Sequence, residues 1–166
     1  RAAGILFTLF TAVHLTLMVG SVLTGTGSLS LVPTRRDFED AIQQLRYYLG
    51  TADAPARFDR FDYRQKFEYW GLVFGAVIVI STGFVLLFPI AATRFLPGEI
   101  VPASKLAHGN EGLMAFLVVI IWHIYNAHLS PDVFPFDKTI FTGKISVERM
   151  RHEHPLEYER IKAQEE

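Results

Sequence analysis

The chain has 166 residues and no cysteine, which excludes internal disulfides, thiolate zinc sites, iron–sulfur clusters and thioether-attached haem. Any metal must therefore be held by histidine or oxygen. Half of the residues are apolar and 13% aromatic, a high share for this length, whereas the net charge of -1 averages apolar blocks with the charged stretches between them and says little.

Three blocks reach the roughly 20 apolar residues that a helix needs to cross the hydrocarbon core of a bilayer. The first, Ala2 to Leu23, has His14 as its one ionisable residue. A polar segment comes next, opening with the Gly/Ser/Pro-rich "TGTGSLSLVPT" and continuing as "TRRDFEDAIQQLRYYLG", where Thr34 suits an N-cap and Gly50 a stop. This stretch reads either as an amphipathic helix at the membrane surface or as a solvated loop helix. The second block, Trp70 to Ala92, has no ionisable residue. The third, Leu106 to Leu129, lies between Pro102 and Ser130-Pro131, and beyond it runs a polar tail with a helix expected after Ser146. Secretory signal peptides have shorter apolar cores, so these blocks are not targeting segments.

The sequence thus predicts an all-α membrane protein. Its transmembrane helix bundle has spans at about 2–25, 67–93 and 104–129, a loop over 26–66 and a C-terminal tail over 130–166. Two spans separate loop from tail, so both emerge on one face. That face carries Arg35, Arg36, Arg46, Arg57, Arg60, Arg64, Lys66, Lys138, Lys144, Arg149, Arg151, Arg160 and Lys162, against Arg1, Arg94 and Lys105 opposite. The positive-inside rule makes it cytoplasmic, and the expected location is the bacterial inner membrane.

Ionisable residues inside lipid are expensive and point to function. On an α-helix His108 and His123 lie about 60° apart around the axis and about 22 Å apart along it, on one face in opposite leaflets. That placement suits two haems stacked across the membrane, each iron taking a neutral imidazole from two parallel helices. Gly4, Gly20, Gly109 and Gly112 would give the rings room, or would serve ordinary helix packing. Measured from the cytoplasmic ends, His14 lies about 16 Å deep, His123 about 9 Å and His108 about 31 Å. His14 therefore matches His123 better, and His108 would take its partner from a helix upstream of Arg1. The chain also begins without methionine inside an apolar run, so an incomplete N-terminus is expected.

Other polar groups read two ways. Glu68 and Tyr69, beside Trp70, offer a hydrogen-bonding pair for a quinone head or belong to the interfacial aromatic belt. Glu111 would hydrogen-bond the haem surroundings or take a proton, or else face water at the headgroups. His128, beside Asn126 and Ser130, is either interfacial or part of a quinone or proton site. His152 and His154 are expected to be solvated or paired with Glu148 and Glu153.

The stretches "YRQKFEYW", "WHIYNAHLSP", "FTGKIS" and "EHPLEYER" resemble the cytochrome b/b6-type membrane subunits, relatives of the gamma subunits of formate dehydrogenase and nickel-iron hydrogenase. The resemblance runs over nearly the whole chain. It implies a di-haem cytochrome b of four spans, three of them in this chain, with His14, His108 and His123 as haem-iron ligands. It also implies quinone as substrate, and as partner a multihaem cytochrome c or an iron–sulfur, molybdenum or nickel-iron subunit of a multi-protein complex. The family's first span and its histidine are missing, so one of the two haems b would share a ligand from outside this chain. Nothing in the chain points to nucleic acid. The competing reading is a haem-free anchor for a larger redox or photosynthetic complex, its histidines only hydrogen-bonded. A histidine-lined transporter fits less well, because the second span has no polar stripe.

Overall fold

The computed structural model describes residues 1–131 and 133–165, and every regular element among them is a helix. The elements run α1 (Ala2–Leu23), α2 (Arg35–Tyr48), α3 (Tyr63–Leu87), α4 (Pro89–Ala92), α5 (Ile100–Leu117), two π-helical segments (Val118–His123 and Tyr125–Leu129), α6 (Thr139–Thr142), α7 (Val147–Glu153) and α8 (Pro155–Glu165). Two compact units result, one from residues 1–27 and 71–137, the other from 28–70 and from 138 onward. Loop and tail thus share a unit.

Three helices are long and apolar enough to cross a bilayer: α1, α3 and the continuous 30-residue helix from Ile100 to Leu129. α1 stops at Gly25, whose φ of +70° sends the N–H groups of Gly25 and Thr26 back to the carbonyls of Val22 and Ser21 at 3.1 and 3.0 Å. α3 ends at Leu87, short of the expected 93. Pro89 has no N–H to continue the ladder, and Phe88 before it takes φ -127° and ψ 57°, outside the helical region. The third span instead begins early, at Ile100, because Pro102 falls in the first turn, where backbone N–H groups have no intrahelical partner anyway.

Several polar side chains within the spans bond to their own helix. Thr8 donates to Gly4 O at 2.8 Å, Thr16 to Ala12 O at 2.7 Å, Ser81 to Val77 O at 2.7 Å and Asn126 to Trp122 O at 2.8 Å. The large apolar side chains do the reverse and face outward: Phe7, Phe10 and Leu17 on α1, Phe74 and Phe84 on α3, Leu113 and Phe116 on α5 are all exposed. Among the described residues only two hydrophobic side chains are buried, Ala76 in the first unit and Ala56 in the second. Such an arrangement suits a solvent of lipid, not of water.

The second unit is held by polar contacts. The Thr34 N–H and hydroxyl both donate to the Asp37 carboxylate, at 2.6 and 2.8 Å, closing the start of α2. The other Asp37 oxygen meets Lys66 Nζ on α3 at 2.7 Å, and both side chains are nearly buried. Buried Gln44 accepts the Ala56 N–H at 3.0 Å. As expected, α2 ends at Gly50, whose φ is +70°. The tail docks on the loop through Arg160 on Asp59 at 2.9 Å, Arg57 on Glu159, and the Leu156 N–H on Phe58 O at 3.2 Å. His154, expected to be solvated or paired with an acid, donates from Nδ1 to Asp59 O at 2.9 Å, with Nε2 3.9 Å from Glu153. Ser146 caps α7 by accepting the Arg149 N–H at 3.2 Å.

Burial alone would raise the Asp37 carboxyl, but hydrogen bonds from Lys66 and Thr34 outweigh it and hold its pKa below the ordinary aspartate value. The Arg160 guanidinium holds Asp59 down likewise. A carboxylate with a depressed folded pKa stabilises above its unfolded value and loses that contribution as pH falls through the folded one. The unit should therefore hold at neutral pH and loosen below about pH 4, read as faster amide hydrogen exchange over residues 35–48. At neutral pH Asp37→Ala should loosen the same amides by about 1–3 kcal/mol, since it strands Lys66.

Candidate functional site

The face of α3 that meets α5 carries Gly75, Val79 and Gly83 at four-residue intervals, so the three stack along one side of the helix. Glycine at the first and last lets side chains from α5 approach the backbone. A Cβ added at Gly83 would lie 3.2 Å from His108 Cε1, and one added at Gly75 would overlap the Glu111 carboxylate. His108 and Glu111 stand one turn apart on α5 and both lean on this face.

The surroundings of His108 fix its proton. Nδ1 is 3.0 Å from Val79 O and 3.1 Å from Thr82 Oγ1. A carbonyl oxygen can only accept, so Nδ1 carries the hydrogen. The Thr82 hydroxyl spends its own proton on Ile78 O at 2.6 Å, which leaves its oxygen free to accept from the same Nδ1–H. With Nδ1 bonded in this way, the ring is held in orientation and Nε2 is the nitrogen left to ligate, the arrangement that metal-binding imidazoles use.

Glu111 is different in kind. Its carboxyl makes no hydrogen bond or ion pair among the described residues, although it lies well inside a span.

The C-terminal part of the third span departs from the α-helix. Val118–His123 and Tyr125–Leu129 are π-helical, which puts His123 and His128 at the last turns of two wide segments. π-Helix is rare and concentrates at functional sites. Because a π turn holds more residues than an α turn, each residue beyond Leu117 rotates by less than 100°, and the angular steps expected for His123 and His128 do not apply as calculated. His128 packs flat on Phe136, with ring centroids 4.6 Å apart and planes at 10°. Its Nδ1 is buried with no hydrogen-bond partner among the described residues.

The structure therefore groups His108 and Glu111 on the α3 face, while His14 lies on an exposed face of α1 and His123 on an exposed face of the π-helical stretch. Glu68 and Tyr69 belong to the other unit, where Tyr69 packs edge-on against Trp70 at 5.8 Å and the Trp70 Nε1–H donates to Leu31 O at 2.9 Å. Gly4, Gly20, Gly109 and Gly112, expected to make room for a ring or a helix, have nothing within 4 Å of an added Cβ. The glycines that matter for contact are Gly75 and Gly83. Thr82, Val79 O and these two glycines were missed from sequence, although the four-residue spacing of Gly71 and Gly75, a small-residue stripe of the kind that lets helices approach, was there to be read. Among the described residues no three of His, Asp or Glu come together as an ion cage. An axial pair on haem iron needs only one nitrogen from each of two helices.

No protein-family model matches the chain. Over 134 residues, 81% of the chain, it is 22% identical to the formate dehydrogenase, nitrate-inducible, cytochrome b556(Fdn) subunit of Escherichia coli, and equally to the protein of that name from Shigella flexneri. The chain spans 59% of the length of these curated relatives. With three apolar helices, this likeness supports a multi-pass, cytochrome b-type membrane subunit.

The two contact glycines should respond differently to substitution. Gly75→Ala displaces only the flexible end of Glu111 and gains up to about 1 kcal/mol of helix propensity, so thermal unfolding in detergent should hold or rise. Gly83→Val drives a branched side chain into a ring pinned at Nδ1, and the same measurement should fall by several degrees.

Proposed function

We propose that this chain is a membrane b-type cytochrome subunit that passes electrons through haem b between the quinone pool and a partner redox subunit. The observation that carries the reading is the placement of His108, an imidazole on an apolar helix long enough to cross a bilayer, with Nδ1 bonded to Val79 O and Nε2 left to ligate. The likeness to a cytochrome b556 subunit supplies the class of iron compound. The residues fit a haem: the imidazole is oriented through Nδ1, Gly83 admits it against α3, and His14 on another helix and His123 further along the same 30-residue helix offer further nitrogen donors. When bound, haem b supplies one-electron transfer, and the protein sets its position and potential through ligands and burial.

His14, His108 and His123 are the proposed iron ligands of two haems b, one of which takes a further ligand from outside this chain. Glu111, His128, Glu68 and Tyr69 are proposed for proton or quinone handling. Glu111 and His128 carry the stronger support, an intramembrane carboxyl and a buried ring nitrogen each without a hydrogen-bond partner among the described residues. Loop and tail are proposed to face the cytoplasm of a bacterial inner membrane, where thirteen of the sixteen Lys and Arg residues lie, and the partner is an iron–sulfur, molybdenum, nickel-iron or multihaem cytochrome c subunit.

The test is a pyridine haemochrome spectrum of the purified membrane complex, with the haem-to-chain ratio. Two haems b are expected, with at least one lost in His108→Ala and in His123→Ala. Thr82→Val should keep its haem, because Val79 O still holds Nδ1. No haem b, or a spectrum indifferent to both histidines, would leave a haem-free anchor as the function.

A further inference from the structure

α2 is turned the opposite way from a helix on a water-soluble domain. Three of its polar residues face the protein: Gln44 is 7% exposed, and the Asp37 and Asp40 side chains 12% and 19%. Its apolar residues face out. Phe38, Ile42 and Leu45, with Leu49 at the C-cap, are 69%, 53%, 57% and 68% exposed. Spaced i, i+4, i+7 and i+11, they fall within about 60° of one another around the axis and form one continuous stripe.

The place of this stripe in the chain says what it meets. The first turn of α2 is tied by Asp37 to Lys66, one turn before Trp70, where the apolar run of α3 begins, and the Trp70 indole is tied to Leu31 just ahead of α2. α2 is therefore held at the depth where α3 enters the bilayer, the depth that tryptophan marks. Arg35 and Arg46 lie about 60° and 80° round from Phe38, along one edge of the stripe, where they would reach anionic headgroups. We propose that the outer face of α2 docks on lipid, with Phe38, Ile42, Leu45 and Leu49 inserted between headgroup and acyl chain and the helix lying flat in the interface. The inference stands whether or not the chain binds haem.

The chain's lack of cysteine makes the test direct. Leu45→Cys, Ile42→Cys and Glu39→Cys, all at exposed positions, are labelled with bimane in the full chain reconstituted into vesicles of phosphatidylcholine and phosphatidylglycerol. Lipids carrying a nitroxide near the headgroup should quench the labels at 42 and 45 about threefold more than the label at 39, with aqueous iodide giving the reverse order. Equal iodide access at all three positions would overturn the proposal. So would labels at 42 and 45 that are shielded from lipid and iodide alike, which is the result expected if a protein surface covers the stripe.

Discussion

Inside a bilayer a backbone N–H or C=O has no water to bond, and each group left unpaired costs several kcal/mol. That constraint orders most of what is seen here. It makes the three spans continuous helices, pushes the break at Pro89 to the end of one of them, and sends the hydroxyls of Thr8, Thr16 and Ser81 back to carbonyls of their own turn. It also relieves the spans of any need for an apolar core, since lipid solvates their leucines and phenylalanines as well as a protein interior would. The energetic weight then falls on a few polar groups that the helices cannot satisfy by themselves.

His108 and Glu111 are two such groups, and they are treated differently. The imidazole is given an acceptor, Val79 O, and a second one, Thr82, whose own proton is spent elsewhere. The carboxyl one turn away is given only the room that Gly75 leaves. A ring held through one nitrogen has a fixed orientation, whereas a carboxyl without a standing bond is held only by packing. In the other unit the same economy holds a different shape: polar residues face inward and bond one another, as Asp37 does with Lys66, and the apolar stripe of α2 is left outside.

Features that depend on local chain chemistry were legible from sequence. Thr34 and Gly50 bound α2, Ser146 opens α7, and a helix long and apolar enough to cross a bilayer falls on each of the three apolar blocks, because capping geometry, left-handed glycine and hydropathy are written in neighbouring residues. The proline effects were misjudged in opposite directions. Pro89, surrounded by apolar residues, looked like part of a span and ends one, while Pro102 looked like a boundary and sits harmlessly in a first turn. What sequence did not disclose is contact across helices. Val79 takes part through its carbonyl and not its side chain, so nothing about the residue type marks it, and the glycines that admit His108 and Glu111 look like any others until α5 lies against them.

The π-helical segments have a consequence for how this span tolerates change. In an ordinary α-helix a residue added or removed turns every later one by about 100° around the axis. Here the hydrogen-bond pattern itself has taken up surplus residues between Val118 and Leu129. Removing one would relax this stretch of backbone toward ordinary α-helix, with every apolar residue still apolar and the span still long enough. Yet residues inside the shortened segment would be presented from a new angle, while those beyond it would keep theirs. In this helix the count of residues is itself a specification, one that hydropathy does not register.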